Sequence, residues 1–373
     1  MNGRGKLVEV ALRAVESEAP TAAQRVVRGM LALLSFGYGG LVRLRNAGYT
    51  RGLLRTERLP CRVVCVGNLT VGGTGKTPTV IALGAALSTS GSRVCVLLRG
   101  YRREGKGVRV VSDGGKVLLG WREAGDESIL LARSLPGVPV IVGGDRVAAG
   151  RLAVERFRAE VILLDDGFQH RRLHRDVDLV LLDAMDPFGG EWLLPRGRLR
   201  EPISAAGRAQ AMLVTRADQS GDLTGLRRRI GTIAPRLPLG WAVFRPDRLV
   251  ELSSRQGRRV EELRERRVLA VSAIGNPQAF ERTLMGAGAC VAGNLAFPDH
   301  HAFTQEDGAR MIREARAASA EWIVTTEKDA VRLDADRPAG LPVLSLGVHL
   351  EVVEGAEALE AALGLSLRHP NRG

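Results

Sequence analysis

Aromatic side chains are scarce, 4% of 373 residues, and none are interleaved with basic residues in the way nucleic-acid-stacking surfaces require. Nucleic acid is therefore not the expected partner. Cysteine is scarcer still. Cys61, Cys65, Cys95 and Cys290 have no C-x-x-C spacing and lie mostly in apolar, strand-like runs. That pattern argues against a disulfide framework or a thiolate zinc site and predicts reduced core thiols in a cytoplasmic setting. Among six histidines, His170 and His174 are spaced as on one helix face, but arginines separate them and no third ligand follows, so a surface loop is expected. Internal repeats and low-complexity tracts are absent. Residues 1–24 are polar and lack a cleavage-site pattern, which argues against a secretory signal.

Lys plus Arg outnumber Asp plus Glu by 54 to 41, a net charge of +13, which points to anionic partners such as acidic lipid or a phosphorylated substrate. The apolar run Met30 to Val42, bracketed by Arg25, Arg28, Arg43 and Arg45, is too short to span a bilayer, which needs about 20 apolar residues. A basic, apolar helix near 25–45 can instead lie in a membrane interface or pack on the protein.

The most specific local signal runs from Val66 to Pro78, VGNLTVGGTGKTP. Arg62 to Val66 reads as a buried strand and Val80 to Leu87 as a helix, with a phosphate-cradling loop between them. Gly72, Gly73 and Gly75 let backbone N–H groups converge on an anion, Lys76 supplies a cation, and Thr77 supplies a hydroxyl for Mg²⁺. Thr70 stands where the common pattern has glycine, so the loop follows the G-G-x-G-K-T variant. Downstream, the apolar strand Val161 to Leu164 runs into Asp165-Asp166, a Walker B pair placed to reach Mg²⁺. Strand, helix, strand in this order predicts a parallel α/β sheet with ligands at the strand carboxyl ends.

Asp126 and Glu127 open a helix, either stabilising its first turn or, for a carboxylate near the γ-phosphate, accepting a proton. His300 can be an exposed loop residue or that carboxylate's hydrogen-bond partner. Arg99 and Arg171 can add charge around the γ-phosphate.

The series VGNLTVGGTGKTP, RGY at 99–101, GDE at 125–127, LLDDGFQHRRL at 163–173, RDVDLVLLDA at 175–184, LPRGRLREP at 194–202, FPDHHAF at 297–303 and TTEKDAVRL at 325–333 resembles the tetraacyldisaccharide 4′-kinase family. It runs in family order from about residue 25 to 350. That resemblance implies ATP-dependent phosphorylation of the 4′-hydroxyl of an acylated glucosamine disaccharide 1-phosphate at the cytoplasmic face of the inner membrane. It implies that residues 70–77 (Thr70, Val71, Gly72, Gly73, Thr74, Gly75, Lys76, Thr77) hold ATP, and that Thr77, Asp165, Asp166 and Glu201 serve Mg²⁺. Asp126 becomes the general base, His300 its partner and Lys76 a catalytic cation; Arg99, Glu127, Gln169, Arg171 and Arg200 become substrate contacts.

Two α/β/α domains are expected, a P-loop core over 1–178 and a second domain over 179–340, with 341–373 packing back on the core and a monomer favoured. The chain departs from the family in Leu98 before RGY, in Ser128 after GDE, and in the added arginines Arg196 and Arg198, which read either as lipid-phosphate contacts or as solvated loop residues. The alternative is a P-loop GTPase or metal-chaperone-like NTPase, with Val214 to Asp218 as a degraded guanine-reading loop; Arg216 in place of lysine counts against it.

Overall fold

The computed structural model describes residues 21–101, 103–333 and 340–365, so the reading of residues 1–20 falls outside it. Helix α1 (Ala22–Thr50) leads to β1 (Arg62–Asn68), α2 (Lys76–Thr89), β2 (Val94–Leu98), β3 (Arg109–Ser112), α3 (Asp126–Ser134), β4 (Val140–Val142) and α4 (Arg146–Phe157). Then come β5 (Val161–Asp165), β6 (Val177–Asp183), β7 (Ala211–Thr215), α5 (Leu223–Ile233), β8 (Leu239–Glu251), β9 (Gly257–Arg258), β10 (Arg267–Ser272) and α6 (Pro277–Gly286). The chain closes with β11 (Cys290–Ala296), α7 (Gln305–Ala317), β12 (Trp322–Thr326), α8 (Glu327–Leu333), β13 (Val343–Glu354) and α9 (Ala356–Leu363).

The strands form one sheet in the order β11-β10-β12-β13-β8-β7-β6-β1-β5-β2-β4-β3, with β9 added to β8. Within each half the neighbours are mostly parallel, and the halves join where β8 and β13 pair antiparallel over most of their length. In β1, Val63 and Cys65 face one buried layer and Val64 and Val66 the other, as expected for a strand covered on both faces. The second half has its own layers, around Leu269 and Ile323 on one face and Val268 and Val324 on the other.

The boundary expected at 178 falls inside β6, which is hydrogen-bonded to β1. The first half instead continues through β7 into the start of β8, because these strands extend the P-loop sheet edge rather than begin a new one. From the C-terminal segment, α9 buries Leu359 and Leu363 in the same layer as Leu213 and Ala242 of the first half.

Helix α1 is longer than the stretch expected near 25–45, and its length and composition would suffice to cross a membrane. It starts with a capping box in which Thr21 and Gln24 satisfy each other's backbone N–H groups. Its inward stripe is made of small residues: Ser35, Gly39 and Val42 are buried. Its outward face carries Met30, Leu33, Phe36, Leu41 and Leu44, each more than 60% exposed. Ser35 donates to the Leu193 carbonyl at 2.8 Å and accepts from the Arg196 N–H at 3.0 Å. Tyr38 donates to the Arg200 carbonyl at 2.9 Å, and Asn46 to Glu201 Oε2 at 2.7 Å.

Candidate active site

The phosphate loop leaves β1 and enters α2 through glycines whose backbone other residues rarely adopt. Gly72 has φ +117° and Gly75 has φ +82°. Space tightens the requirement, since a Cβ at Gly75 would lie 2.2 Å from Phe244 Cζ and one at Gly72 would lie 2.2 Å from Arg198 Nη2. The loop is held from below by Thr215, whose hydroxyl donates to the Thr74 carbonyl at 3.0 Å. From the side, Arg198 donates to the Val71 carbonyl through Nη2 at 3.0 Å and Nε at 3.2 Å while pairing with Asp186 at 2.8 Å. Arg198 is thus a clamp on the loop rather than a lipid contact, and the second added arginine, Arg196, lies over the Trp192 ring.

Residues Val71 to Thr77 line a cavity of about 920 Å³ between the two halves. Thr70 does not belong to that wall. It is buried in a bridge with Leu199, where Val71 N–H donates to the Arg198 carbonyl at 2.7 Å, so its role is to dock the loop rather than to touch nucleotide.

Asp165 ends β5 and Asp166 turns away at φ +53°, so the two carboxylates point apart. Asp166 accepts from Arg200 Nη1 at 2.8 and 3.0 Å and lies 3.5 Å from Lys76 Nζ; although burial opposes it, these cations hold its carboxyl below the usual carboxylate range. Asp165 is buried and its Oδ1 has no hydrogen-bond partner. Burial and the nearby Glu127 charge push its carboxyl up to about 7, with Lys76 opposing. An orphaned buried carboxylate oxygen beside Lys76 and Thr77 fits a Mg²⁺ site. Among the described residues no group of three or more His, Cys, Asp or Glu is placed to form a metal cage.

The opposite wall brings together residues 174 positions apart. Asp126 opens α3 after Gly125, whose φ +92° and ψ 148° suit glycine alone. Its Oδ1 accepts the Glu127 N–H at 2.9 Å, and His300 Nδ1 lies 3.2 and 3.0 Å from Oδ1 and Oδ2. Burial alone would raise the Asp126 pKa, but His300, Lys328 and Arg332 hold it below the usual range. An ionised carboxylate only accepts, so Nδ1 carries the proton, and an unprotonated Nε2 has its lone pair on the side away from Asp126. Lys328 Nζ sits 3.3 Å from that Nε2 and 3.1 Å from Glu127 Oε1. Burial would lower the Lys328 pKa, yet the carboxylates of Glu127, Asp126 and Asp299 raise it.

Arg99, Glu127, Gln169 and Arg200 all line the cavity, as do Tyr38 and Arg45 of α1. Two expected contacts lie elsewhere. Glu201 is buried in a pair with Arg208 at 2.9 Å and a hydrogen bond from Asn46, which leaves it no open side for a metal. Arg171 donates to the Asn46 carbonyl at 2.9 Å and so fastens α1 rather than facing a phosphate.

Sequence reasoning missed Arg146 and Lys328. Arg146 is buried at the start of α4, donates to the Gly143 and Gly144 carbonyls at 3.0 Å, and leaves Nε without a partner. Its signal was the strand-end sequence Gly143-Gly144-Asp145-Arg146. For Lys328 the signal was a Thr-Glu-Lys-Asp run closing β12. The guanine-reading alternative finds no geometry here: Arg216 is tied to Asp183 at 2.5 Å and Asp218 lies 3.7 Å from Arg245.

A family model described as Tetraacyldisaccharide-1-P 4′-kinase matches residues 27–367. The tetraacyldisaccharide 4′-kinase of Syntrophus aciditrophicus is 43% identical over 87% of this chain and 89% of that protein. Its counterpart from Anaeromyxobacter sp. strain K is 45% identical over 90% of each chain. The crystal structure of Aquifex aeolicus LpxK in complex with ATP is 35% identical and superposes with a TM-score of 0.72, covering 91% of this chain and 98% of that one. With its phosphate loop, aspartate pair and Asp126–His300 contact around one cavity, the chain belongs to the tetraacyldisaccharide-1-P 4′-kinase family.

Proposed function

We propose that the protein transfers the γ-phosphoryl group of ATP to the 4′-hydroxyl of an acylated glucosamine disaccharide 1-phosphate, working as a peripheral enzyme on the cytoplasmic face of the inner membrane. One observation carries this reading. A single cavity holds the phosphate loop, the Asp165–Asp166 pair and the Asp126–His300 dyad, and its wall includes residues of the helix whose other face is apolar and exposed.

Phosphoryl transfer asks for positioning and charge neutralisation more than for covalent chemistry. The backbone N–H groups of Gly72 to Gly75 and Lys76 Nζ hold the nucleotide phosphates, and Arg200 keeps Asp166 turned toward them. Mg²⁺, when bound by Asp165, Asp166 and Thr77, supplies further neutralisation of phosphate oxygens. As the 4′-oxygen bonds to the γ-phosphorus, the bond from that phosphorus to the ADP oxygen breaks and ADP leaves, while the hydroxyl proton passes to His300 Nε2, which Lys328 Nζ, 3.3 Å away in the free protein, gives up. Asp126, with both oxygens already engaged, fixes the ring tautomer and balances the imidazolium charge. This moves the accepting atom from Asp126, the base expected from sequence, to its partner. Arg99 and Arg146, with the orphaned Arg146 Nε, suit the phosphate of the acceptor.

The test is incubation with labelled ATP, Mg²⁺ and tetraacyldisaccharide 1-phosphate in detergent. Label on the lipid supports the reading, and a folded, ATP-binding protein that leaves the lipid unlabelled rejects it. The membrane half has its own test. The triple variant Leu33→Gln, Leu41→Gln, Leu44→Gln alters only outward side chains and is expected to cut flotation with anionic vesicles more than about tenfold, since each large apolar side chain gains about 1.5–3 kcal/mol on leaving water. Undiminished flotation by the variant would place the membrane contact elsewhere.

A further inference from the structure

Arg332 is the bulkiest of the fully buried side chains, 1% exposed as a side chain, and it lies at the far side of the dyad from the cavity. Burying a guanidinium costs several kcal/mol unless it is paired, and well-packed apolar groups often replace a buried ion pair at no loss of stability. Packing therefore does not account for an arginine here.

Its contacts do. Nη1 lies 3.3 Å from Asp126 Oδ2, a buried ion pair without hydrogen-bond geometry, across the junction between the halves. Nη2 pairs with Asp329, one turn earlier on α8, and donates to the Ala273 carbonyl at 3.2 Å. That same carbonyl accepts the backbone N–H of His300 at 3.2 Å, and the Ala273 N–H donates to Asp329 Oδ2 at 2.9 Å. Arg332 thus reaches both members of the dyad, the carboxylate directly and the histidine backbone through one shared carbonyl. His300 sits at φ +61°, a conformation that persists in a non-glycine residue only where its surroundings over-determine it.

We infer that Arg332 is a positioning residue for proton transfer: from the second half it holds the Asp126 carboxylate in place, so that His300 keeps Nδ1–H toward Asp126 and its Nε2 on the cavity side, beside Lys328. The inference rests on the kinase reading above, but its consequence for the imidazole is independent of it. Lys328 does not duplicate the role, because it approaches His300 from the Nε2 side and is tied to Glu127.

The test uses full-length Arg332→Met and Arg332→Lys, alone and combined with Asp126→Asn. Arg332→Met is expected to lower kcat about tenfold to a hundredfold with KM for ATP unchanged, Arg332→Lys to recover part of the loss, and Arg332→Met to cost nothing further once Asp126 is Asn. In ¹⁵N-histidine NMR spectra, His300 should show a fixed Nδ1–H tautomer in the wild type and an averaged one in Arg332→Met, a readout that requires no turnover. An unchanged tautomer, or a full and additive loss in the Asp126→Asn background, overturns the inference. Failure of the kinase reading would show separately, as a wild type that labels no lipid while its His300 tautomer still responds to Arg332→Met.

Discussion

Asp126→Asn is expected to lower kcat for lipid phosphorylation by about 10²–10⁴, the range contributed by a positioned acid or base, while ATP still binds. The carboxylate fixes His300 by accepting its Nδ1–H. An amide in its place offers an N–H as readily as a carbonyl, and can select the tautomer whose lone pair faces away from the acceptor. Binding should survive because Asp126 touches His300, Arg332 and the Glu127 N–H, none of which belongs to the phosphate loop. His300→Ala should cost a similar amount, and the double variant little more than either single one, because the two residues act as a unit. Steady-state kinetics with calorimetric ATP binding checks this. Multiplying losses in the double variant, or a lost ATP affinity in Asp126→Asn, would contradict the dyad.

Lys76→Met should be as damaging, by a different route. Lys76 faces Asp166 at 3.5 Å, and bound phosphates would draw the ammonium into the loop. Removing a cation from a desolvated charge pair costs about 2–5 kcal/mol, so kcat/KM for ATP should fall by about 10²–10³ or more. Arg200 still neutralises Asp166 in the variant, so thermal stability should change little. Lys76→Arg should not restore activity, because a planar fork cannot replace a compact ammonium inside a tight loop. A variant that keeps normal ATP kinetics would remove Lys76 from the site.

The phosphate loop and the aspartate pair were legible because each is a local pattern, a strand end followed by a turn, in which neighbouring residues along the chain are neighbours in the site. The dyad was not, since residues 126 and 300 meet only through the folding of two halves; resemblance to a family supplied the pair, not spacing. Thr70, Glu201 and Arg171 were assigned to ligand for a related reason. They belong to motifs that flank the cavity, and a motif does not say which of its side chains point inward. Arg146, Lys328 and Arg332 went unrecognised because a basic residue in the first or last turn of a helix looks solvated in sequence, and only the third dimension buries it. The boundary at 178 failed because an apolar run such as 179–182 looks as able to open a new sheet as to extend an old one, and only its pairing with β1 decides.

The seating of α1 limits how its exposed apolar face can be altered. The loop that accepts Ser35, Tyr38 and Asn46 is the same one whose residues 198–200 pair with 69–71 and clamp Val71. Cutting the chain after residue 51 would strip away the scaffold on which the nucleotide loop is assembled. Substitutions on the outer face at positions such as Leu33, Leu41 and Leu44 keep that scaffold intact, so the helix's coat can be changed where the helix itself cannot be cut away.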